Sequence, residues 1–247
     1  MDLQASHIDV VFLCGGLGTR LQTVISDRPK PMAVINDRPF LEILLDQFRR
    51  CGFRRFILCT GHLSSVVRSH FENAAGSLEV IISEEPTPLG TAGAIKLAEN
   101  HIQSDPFMVA NGDSFCDVDL TALVRFHRGR DADMSMVVTQ MDQARDYGTV
   151  TLDRTQKIIS FSEKVAGSHA SLISAGIYLF NKSLLERIPV DTKCSLESDV
   201  FPTLTGQKSY GFLAPVPVMD IGTPERLFKA KAQFSGTDYT DFTDNSI

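Results

Sequence analysis

Through the first half of the chain, short apolar runs alternate with stretches whose apolar residues recur at helical spacing. Ile8–Leu13, Arg55–Thr60, Leu78–Ser83 and Phe107–Ala110 read as strands. Phe40–Cys51, Ser64–Phe71, Gly93–Asn100 and Leu120–Arg128 read as helices, the first ended by Gly52 and the last by Gly129. Strands and helices at this spacing predict βαβ units, hence a mostly parallel sheet covered on both faces. From Met134 the texture changes. Met134–Gln140, Gly148–Leu152, Ile158–Glu163, Ala175–Phe180 and Phe212–Met219 are strand-like, with few helices between them. A partly antiparallel region added to the parallel core is expected, without a clean second domain. Leu196–Leu204 and Pro224–Phe234 read as late helices. The domain therefore runs over residues 1–234, with a change of texture near 133–134, and 235–247 is a polar tail expected to fray.

The first strand runs straight into Leu13-Cys-Gly-Gly-Leu-Gly-Thr-Arg-Leu21, and Pro29-Lys-Pro-Met32 follows. Glycine lets the backbone turn with positive φ and lets its N–H groups approach a ligand. Successive free N–H groups form a concave anion site, to which a helix starting nearby would add its positive end. Arg20 supplies a rigid charged fork for phosphate oxygens, and Lys30 supplies a point charge. The loop is not a dinucleotide fingerprint, because Leu21 stands where a third glycine belongs. Nor is it a P-loop, which needs Lys-Ser/Thr after its last glycine, where Thr19-Arg20 stands. Handling of a polyphosphate is the chemistry implied.

Charge and cysteine content set the remaining limits. With 24 Lys and Arg against 30 Asp and Glu the net charge is −6, and no dense basic run occurs. That argues against a nucleic-acid partner. Five cysteines without a C-x-x-C pair point to reduced thiols in the cytoplasm, not to disulfides or a zinc site. The start has no basic stretch leading into an apolar one, so no signal peptide is expected. No segment has the apolar length of a membrane span, so no membrane partner is expected.

Two lone carboxylates stand at ends of apolar runs. Asp113, in Asn111-Gly-Asp113, follows the strand Phe107–Ala110, where ligand crevices of parallel sheets form. Asp220 follows Phe212–Met219 and precedes Thr223-Pro224, which reads as a helix start. Both are candidate Mg²⁺ ligands, since Mg²⁺ is usually held by one or two carboxylates plus phosphates. Each is also open to a plain turn role. Asp117-Val-Asp119 has the D-x-D form of many glycosyltransferase metal sites, but Asp119 reads as the N-cap of the helix after it. The six histidines fit no catalytic role, and His62 at best borders the site.

Taken in order, these pieces resemble the sugar-1-phosphate nucleotidyltransferases. The motifs are Gly15-Gly-Leu-Gly-Thr-Arg20, Pro29-Lys30-Pro31, Pro88-Leu-Gly-Thr-Ala-Gly93 and Gly112-Asp113. They continue with Tyr147-Gly148, Glu163-Lys164, Ala175-Gly-Ile-Tyr178 and Asp220-Ile-Gly222. The likeness runs from about Ile8 to Phe234, and is nearest to the members that use GTP and a D-glycero-α-D-manno-heptose 1-phosphate. It implies a three-layer α/β sandwich around a Rossmann-like mixed, mostly parallel sheet of the nucleotide-diphospho-sugar transferase type. About 1–133 would then bind nucleotide and about 134–234 sugar.

The resemblance also implies roles. Arg20, Lys30 and Asp113 would be catalytic, with Arg20 on the departing pyrophosphate and Lys30 on the α-phosphate. Leu13, Gly15, Gly16, Gly18, Thr19, Glu85, Pro88, Gly90 and Thr91 would bind the nucleotide. Gly112, Tyr147, Gly148, Glu163, Lys164 and Gly176 would bind the sugar phosphate, with Lys164 on its phosphate. Asp113 and Asp220 would hold Mg²⁺. Glu85 stands where pyrimidine-specific relatives commonly carry a glutamine. A carboxylate only accepts hydrogen bonds, and guanine offers two adjacent donors, so GTP is the expected nucleotide. A hexose 1-phosphate with GTP, UTP or CTP, a glycosyltransferase, and a non-catalytic nucleotide-sugar sensor stay open as alternatives, as does a homo-oligomer.

Overall fold

The strand Val10–Leu13 lies at the centre of the molecule, with Val10, Val11 and Phe12 fully buried. Val10 and Phe12 point into one apolar cluster and Val11 into the other, so the strand is covered on both faces. Only a continuous apolar run satisfies such a position. The computed structural model describes residues 4–16, 18–72, 78–142, 144, 147–163 and 170–235. Among these, nine strands form one sheet. Seven of them follow the order Ile158–Ser162, Thr149–Leu152, Ser171–Phe180, Phe107–Asn111, Val10–Leu13, Arg55–Thr60, Glu79–Glu84.

Val10–Leu13 pairs parallel with Arg55–Thr60 on one side and with Phe107–Asn111 on the other. Arg55–Thr60 pairs parallel with Glu79–Glu84. Ser171–Phe180 then runs antiparallel to Phe107–Asn111, Met134–Met141 and Thr149–Leu152. The last strand of the sheet, Ser209–Leu213, pairs parallel with Met134–Met141. One sheet thus contains the parallel core and the antiparallel addition, joined where Ser171–Phe180 meets Phe107–Asn111.

Helices complete three layers. Phe40–Arg50 sets Phe40, Leu41, Leu44 and Phe48 into the cluster that holds Phe12, and Phe48 meets the Phe12 ring edge-on at 5.1 Å. Leu120–Gly129 and Pro224–Phe234 pack into the same cluster. On the opposite face, Gly90–Leu97 supplies Ala92 and Ile95 to the cluster that holds Val11 and Ile57. The helix Leu120–Gly129 starts where Asp119 accepts the Ala122 N–H at 2.9 Å, which makes Asp119 a cap, as read from sequence.

One segment differs from the sequence reading, and a second is helical as read but opens with a π turn. The run Phe212–Met219 is not one strand: Ser209–Leu213 and Val218–Asp220 are separate, with Pro215 and Pro217 between them. Proline has no N–H to give a sheet, so the ladder stops there. Leu196–Leu204 is a single π turn, Leu196–Val200, leading into the short helix Phe201–Leu204. In the tail, 236–247 lies outside the described residues.

Candidate active site

Leu13 sits opposite Asn111 in the central pairing, and both strands end there. Strand order reverses direction around Val10–Leu13, and the carboxyl ends of strands at such a point are where ligand crevices form. A cavity of about 570 Å³ opens at this place. Its wall includes Leu13, Gly15, Gly16, Gly18, Thr19, Arg20, Lys30, Glu85, Pro88, Gly90, Thr91, Asp113, Tyr147, Gly148, Glu163, Gly176 and Asp220. The fold therefore gathers nearly every residue singled out from sequence.

The glycine loop leaves Leu13 with the Cys14 N–H bonded to the Cys59 carbonyl at 2.8 Å. Gly18 has a φ of +58°, and a Cβ there would stand 3.3 Å from Cβ of Lys30. No helix follows the loop directly among the described residues: 19–24 form turns, such as Leu21 N–H to the Gly18 carbonyl at 2.8 Å. The glycine loop, Arg20 and Lys30 line this end of the cavity.

Lys30 begins a short 3₁₀ turn, Lys30–Met32, anchored by buried Pro31 and Met32. Its Nζ lies 2.5 Å from Oδ2 of Asp113, whose Oδ1 accepts from the Ser114 hydroxyl at 3.0 Å. Asp113 and Asp220 are brought together by a two-stranded ribbon that sequence did not reveal. Ser114–Cys116 pairs antiparallel with Val218–Asp220, placing Asp220 opposite Ser114. The Ile221 N–H adds a bond to the Asp113 carbonyl at 3.1 Å.

Asp220 is 9% exposed and accepts three hydrogen bonds. Its Oδ1 accepts from Gly222 N–H at 2.8 Å and from Arg226 Nη1 at 3.3 Å, and its Oδ2 accepts from the Tyr147 hydroxyl. A Cβ placed on Gly222 would stand 2.8 Å from Asp220 Oδ1, 3.4 Å from Lys30 Nζ and 3.7 Å from Arg20 Nη2. Arg20, Lys30 and Asp220 therefore surround one bare backbone position, beside Asp113. Two cations and two carboxylates at one point suit polyphosphate and a hard cation together.

Glu85 occupies a slot between glycines. Its Oε1 would be 2.5 Å from a Cβ on Gly15 and 2.6 Å from one on Gly61, and its Oε2 accepts the Leu89 N–H at 2.9 Å. Burial pushes the Glu85 carboxyl above its ordinary range, and the Leu89 N–H offsets part of that. Gly90, with a φ of +75°, starts the next helix, and a Cβ there would stand 2.5 Å from the Cys194 carbonyl. The hydroxyl of Thr91 donates to Glu197 at 2.8 Å and accepts the Leu196 N–H at 2.7 Å.

Toward the antiparallel side, Gly148 lies against Phe161, where a Cβ would stand 2.6 Å from the ring. Gly176 has a φ of +75° at an irregularity in Ser171–Phe180, and bends that strand around Asn111. Gly112, between Asn111 and Asp113 of the cavity wall, does not itself line the wall. A Cβ there would meet the Leu13 carbonyl at 2.8 Å, so its role is the close packing of two strand ends. Lys164 lies outside the described residues.

The wall also contains groups that sequence reasoning missed, among them Asn111, Tyr178, Lys193, Glu197 and Arg226. Arg226 carries a readable signal, because a helix begun at Pro224 brings a residue in its first turn back toward Asp220. Its guanidinium carbon lies 5.3 Å from the Tyr147 ring centre, within cation–π range. Glu197, in Ser195-Leu-Glu-Ser-Asp199, carries none. Neither Asp117 nor Asp119 lines the cavity, and no histidine does among the described residues. His62 borders a smaller hollow that shares Gly18 and Lys30 with the site.

Comparison with known proteins gives the same picture. A family model described as nucleotidyl transferase matches residues 9–236. The chain is 35% identical over 218 residues to D-glycero-alpha-D-manno-heptose 1-phosphate guanylyltransferase of Campylobacter jejuni, covering 88% of this chain and 96% of that protein. It is 34% identical over 233 residues to mannose-1-phosphate guanylyltransferase of Mycobacterium tuberculosis, covering 92% of this chain and 65% of that protein. Crystal structures of HddC from Yersinia pseudotuberculosis, one of them complexed with GMP-PN, match with a TM-score of 0.81 at 34% identity. They cover 92% of this chain and 99% of theirs.

Proposed function

This chain belongs to the nucleotidyl transferase family, and from that premise we propose that it moves the guanylyl group of GTP onto a sugar 1-phosphate, releasing pyrophosphate. The proposed acceptor is D-glycero-α-D-manno-heptose 1-phosphate, as in the relative that matches over almost its whole length. One observation carries the reading: Arg20, Lys30 and Asp220 meet around Gly222, with Asp113 bonded to Lys30.

In this reaction a phosphate oxygen of the sugar attacks the α-phosphorus of GTP, and the bond to the β-phosphate oxygen breaks. The second pKa of a phosphate monoester is about 6, so near neutral pH the attacking oxygen carries no proton to remove. Alignment and charge neutralisation are what remain for the protein to supply. Lys30 is proposed to hold the α-phosphate, Arg20 the departing pyrophosphate, and Lys164 the phosphate of the sugar. Glycine N–H groups of the loop complete the cradle.

Magnesium is proposed as the cofactor. Asp113, just before the strand Ser114–Cys116, and Asp220, at the end of its partner strand, offer hard oxygen donors, and Asp113 pairs with the Lys30 ammonium. Among the described residues no group of three or more His, Cys, Asp or Glu forms an all-protein metal cage. Two carboxylates suit Mg²⁺, which takes its other ligands from phosphates and water. When bound, it would neutralise charge on the phosphate oxygens.

For base choice, Glu85 is proposed to favour guanine. Its Leu89 bond uses part of one oxygen, and a carboxylate has about four lone-pair sites to offer. We place the activity in the cytoplasm, in precursor synthesis for bacterial surface polysaccharides. No helix among the described residues is long and apolar enough to cross a membrane. A pyrophosphate-release assay over four nucleoside triphosphates and several sugar 1-phosphates tests the whole reading. GTP with the heptose phosphate is expected to give the highest kcat/KM, and a mannose 1-phosphate optimum would replace the acceptor.

A further inference from the structure

Arg226 stands in the first turn of the helix Pro224–Phe234 and lines the cavity beside Asp220. Thr223 caps that turn by accepting the Arg226 N–H at 3.3 Å, which turns the side chain back toward the preceding strand. Arg226 Nη1 lies 3.3 Å from Asp220 Oδ1. It is a third cation at the place where Arg20 and Lys30 approach Gly222. Positive groups therefore outnumber Asp113 and Asp220 there.

A carboxylate has about four lone-pair sites to offer. Asp220 already spends them on the Gly222 N–H, the Arg226 guanidinium and the Tyr147 hydroxyl. These bonds are unequal. The Gly222 N–H belongs to the backbone and sits at 2.8 Å, and the Tyr147 hydroxyl takes the other oxygen. The Arg226 bond to Oδ1 is longer, and its guanidinium carbon has a second support 5.3 Å away at the centre of the Tyr147 ring. A guanidinium and a divalent cation seek the same lone pairs and repel each other at short range. Of the three bonds, the one from Arg226 is the one a cation at Asp220 would set against itself.

Resting on the magnesium reading above, we propose that Arg226 is a positioning residue that holds the Asp220 carboxylate in competition with the divalent cation, and so sets how tightly the site binds metal. The test measures binding of Mn²⁺ alone, used in place of Mg²⁺ and without nucleotide, to wild type and Arg226→Met. The spin resonance signal of the free ion reports the bound fraction. Arg226→Met keeps an unbranched apolar chain for the Tyr147 ring but carries no charge and donates no hydrogen bond. Its dissociation constant for Mn²⁺ is expected to fall about tenfold, the lower end of what a hydrogen bond to a charged group is worth. Thermal melts give a second readout. Without metal the variant should melt below wild type, because Asp220 has lost one partner. A fixed Mn²⁺ concentration should then raise its Tm by more than that of wild type, since tighter binding stabilises the folded chain further.

Equal or weaker Mn²⁺ binding by Arg226→Met would overturn the proposal and make Arg226 a support of the metal site. An equal rise in Tm for both proteins would overturn it as well. If Arg226→Met does not fold, Arg226→Gln also lacks the charge, and the same comparisons apply. Binding of Mn²⁺ by neither protein would overturn the magnesium reading, and this proposal with it. Binding that is present and the same in both would overturn this proposal alone.

Discussion

Tyr147 donates its hydroxyl hydrogen to Asp220, joining the loop before the strand Thr149–Leu152 to the carboxylate proposed to hold Mg²⁺. Arg226 bonds the other oxygen of Asp220 and lies over the Tyr147 ring, so the three side chains brace one another. Tyr147→Phe removes one donor from a nearly buried carboxylate without opening a cavity. Such a loss leaves an acceptor short by roughly 1–3 kcal/mol. A higher Mg²⁺ concentration for half-maximal rate is expected, by about tenfold at the lower part of that range. An unchanged magnesium titration would show that Tyr147 does not position Asp220.

Lys30 sits 2.5 Å from Asp113 and 3.4 Å from the position a Gly222 Cβ would take. Lys30→Gln preserves length but removes the charge proposed to meet the transferring phosphate. Removing one preorganised donor from such a site costs about 10²–10³ in kcat. The measurement is steady-state kinetics in both substrates. A loss confined to KM would assign Lys30 to ground-state binding instead of the transition state.

Glu85 fits between Gly15 and Gly61 while bonding the Leu89 N–H. Glu85→Gln can still accept that bond and fills the same space, yet it presents a donor to the base. The ratio of kcat/KM for GTP over UTP is expected to fall by about tenfold, as one unsatisfied pair is worth roughly 1–3 kcal/mol. An unchanged ratio would leave base reading to the neighbouring backbone.

His127 is buried, with Nδ1 2.9 Å from Ser135 Oγ and Nε2 3.0 Å from Asn181 Oδ1. Burial lowers its pKa below the ordinary histidine range, partly opposed by its Asn181 bond and by Asp105 and Asp133. Below the unfolded value of about 6.5 the unfolded chain therefore binds the proton more readily than the folded one. Stability contributed by neutral His127 is present above that pH and is lost as pH falls. Thermal melts between about pH 7.5 and about pH 5 should show Tm falling with acid. His127→Gln should flatten that fall, and an equal slope in both proteins would contradict the assignment.

The parallel core is legible in the sequence because doubly buried strands such as Val10–Leu13 and Arg55–Thr60 must be continuous apolar runs. Arg20, Lys30, Asp113 and Asp220 are legible singly, each lying where a strand or glycine turn ends. Their meeting is not. Ser114–Cys116 has only three residues and pairs with Val218–Asp220 across a long chain separation, so no local periodicity reports it. The break inside Phe212–Met219 is written in Pro215 and Pro217, whose missing donors outweigh the apolar character of the run. Glu197 is hidden because its place depends on a π turn seated against Thr91, and nothing in Ser195–Asp199 differs from an exposed polar stretch.

The central claim is that the cluster around Gly222 transfers the α-phosphorus of GTP to a sugar phosphate. Its most direct test follows the phosphorus itself, using GTP labelled at the α or the γ position, D-glycero-α-D-manno-heptose 1-phosphate and Mg²⁺. The predicted result is α-label in a sugar-linked nucleotide and γ-label in pyrophosphate, both abolished by Asp113→Ala. Label released as free orthophosphate, or transfer that survives Asp113→Ala at wild-type rate, would contradict it.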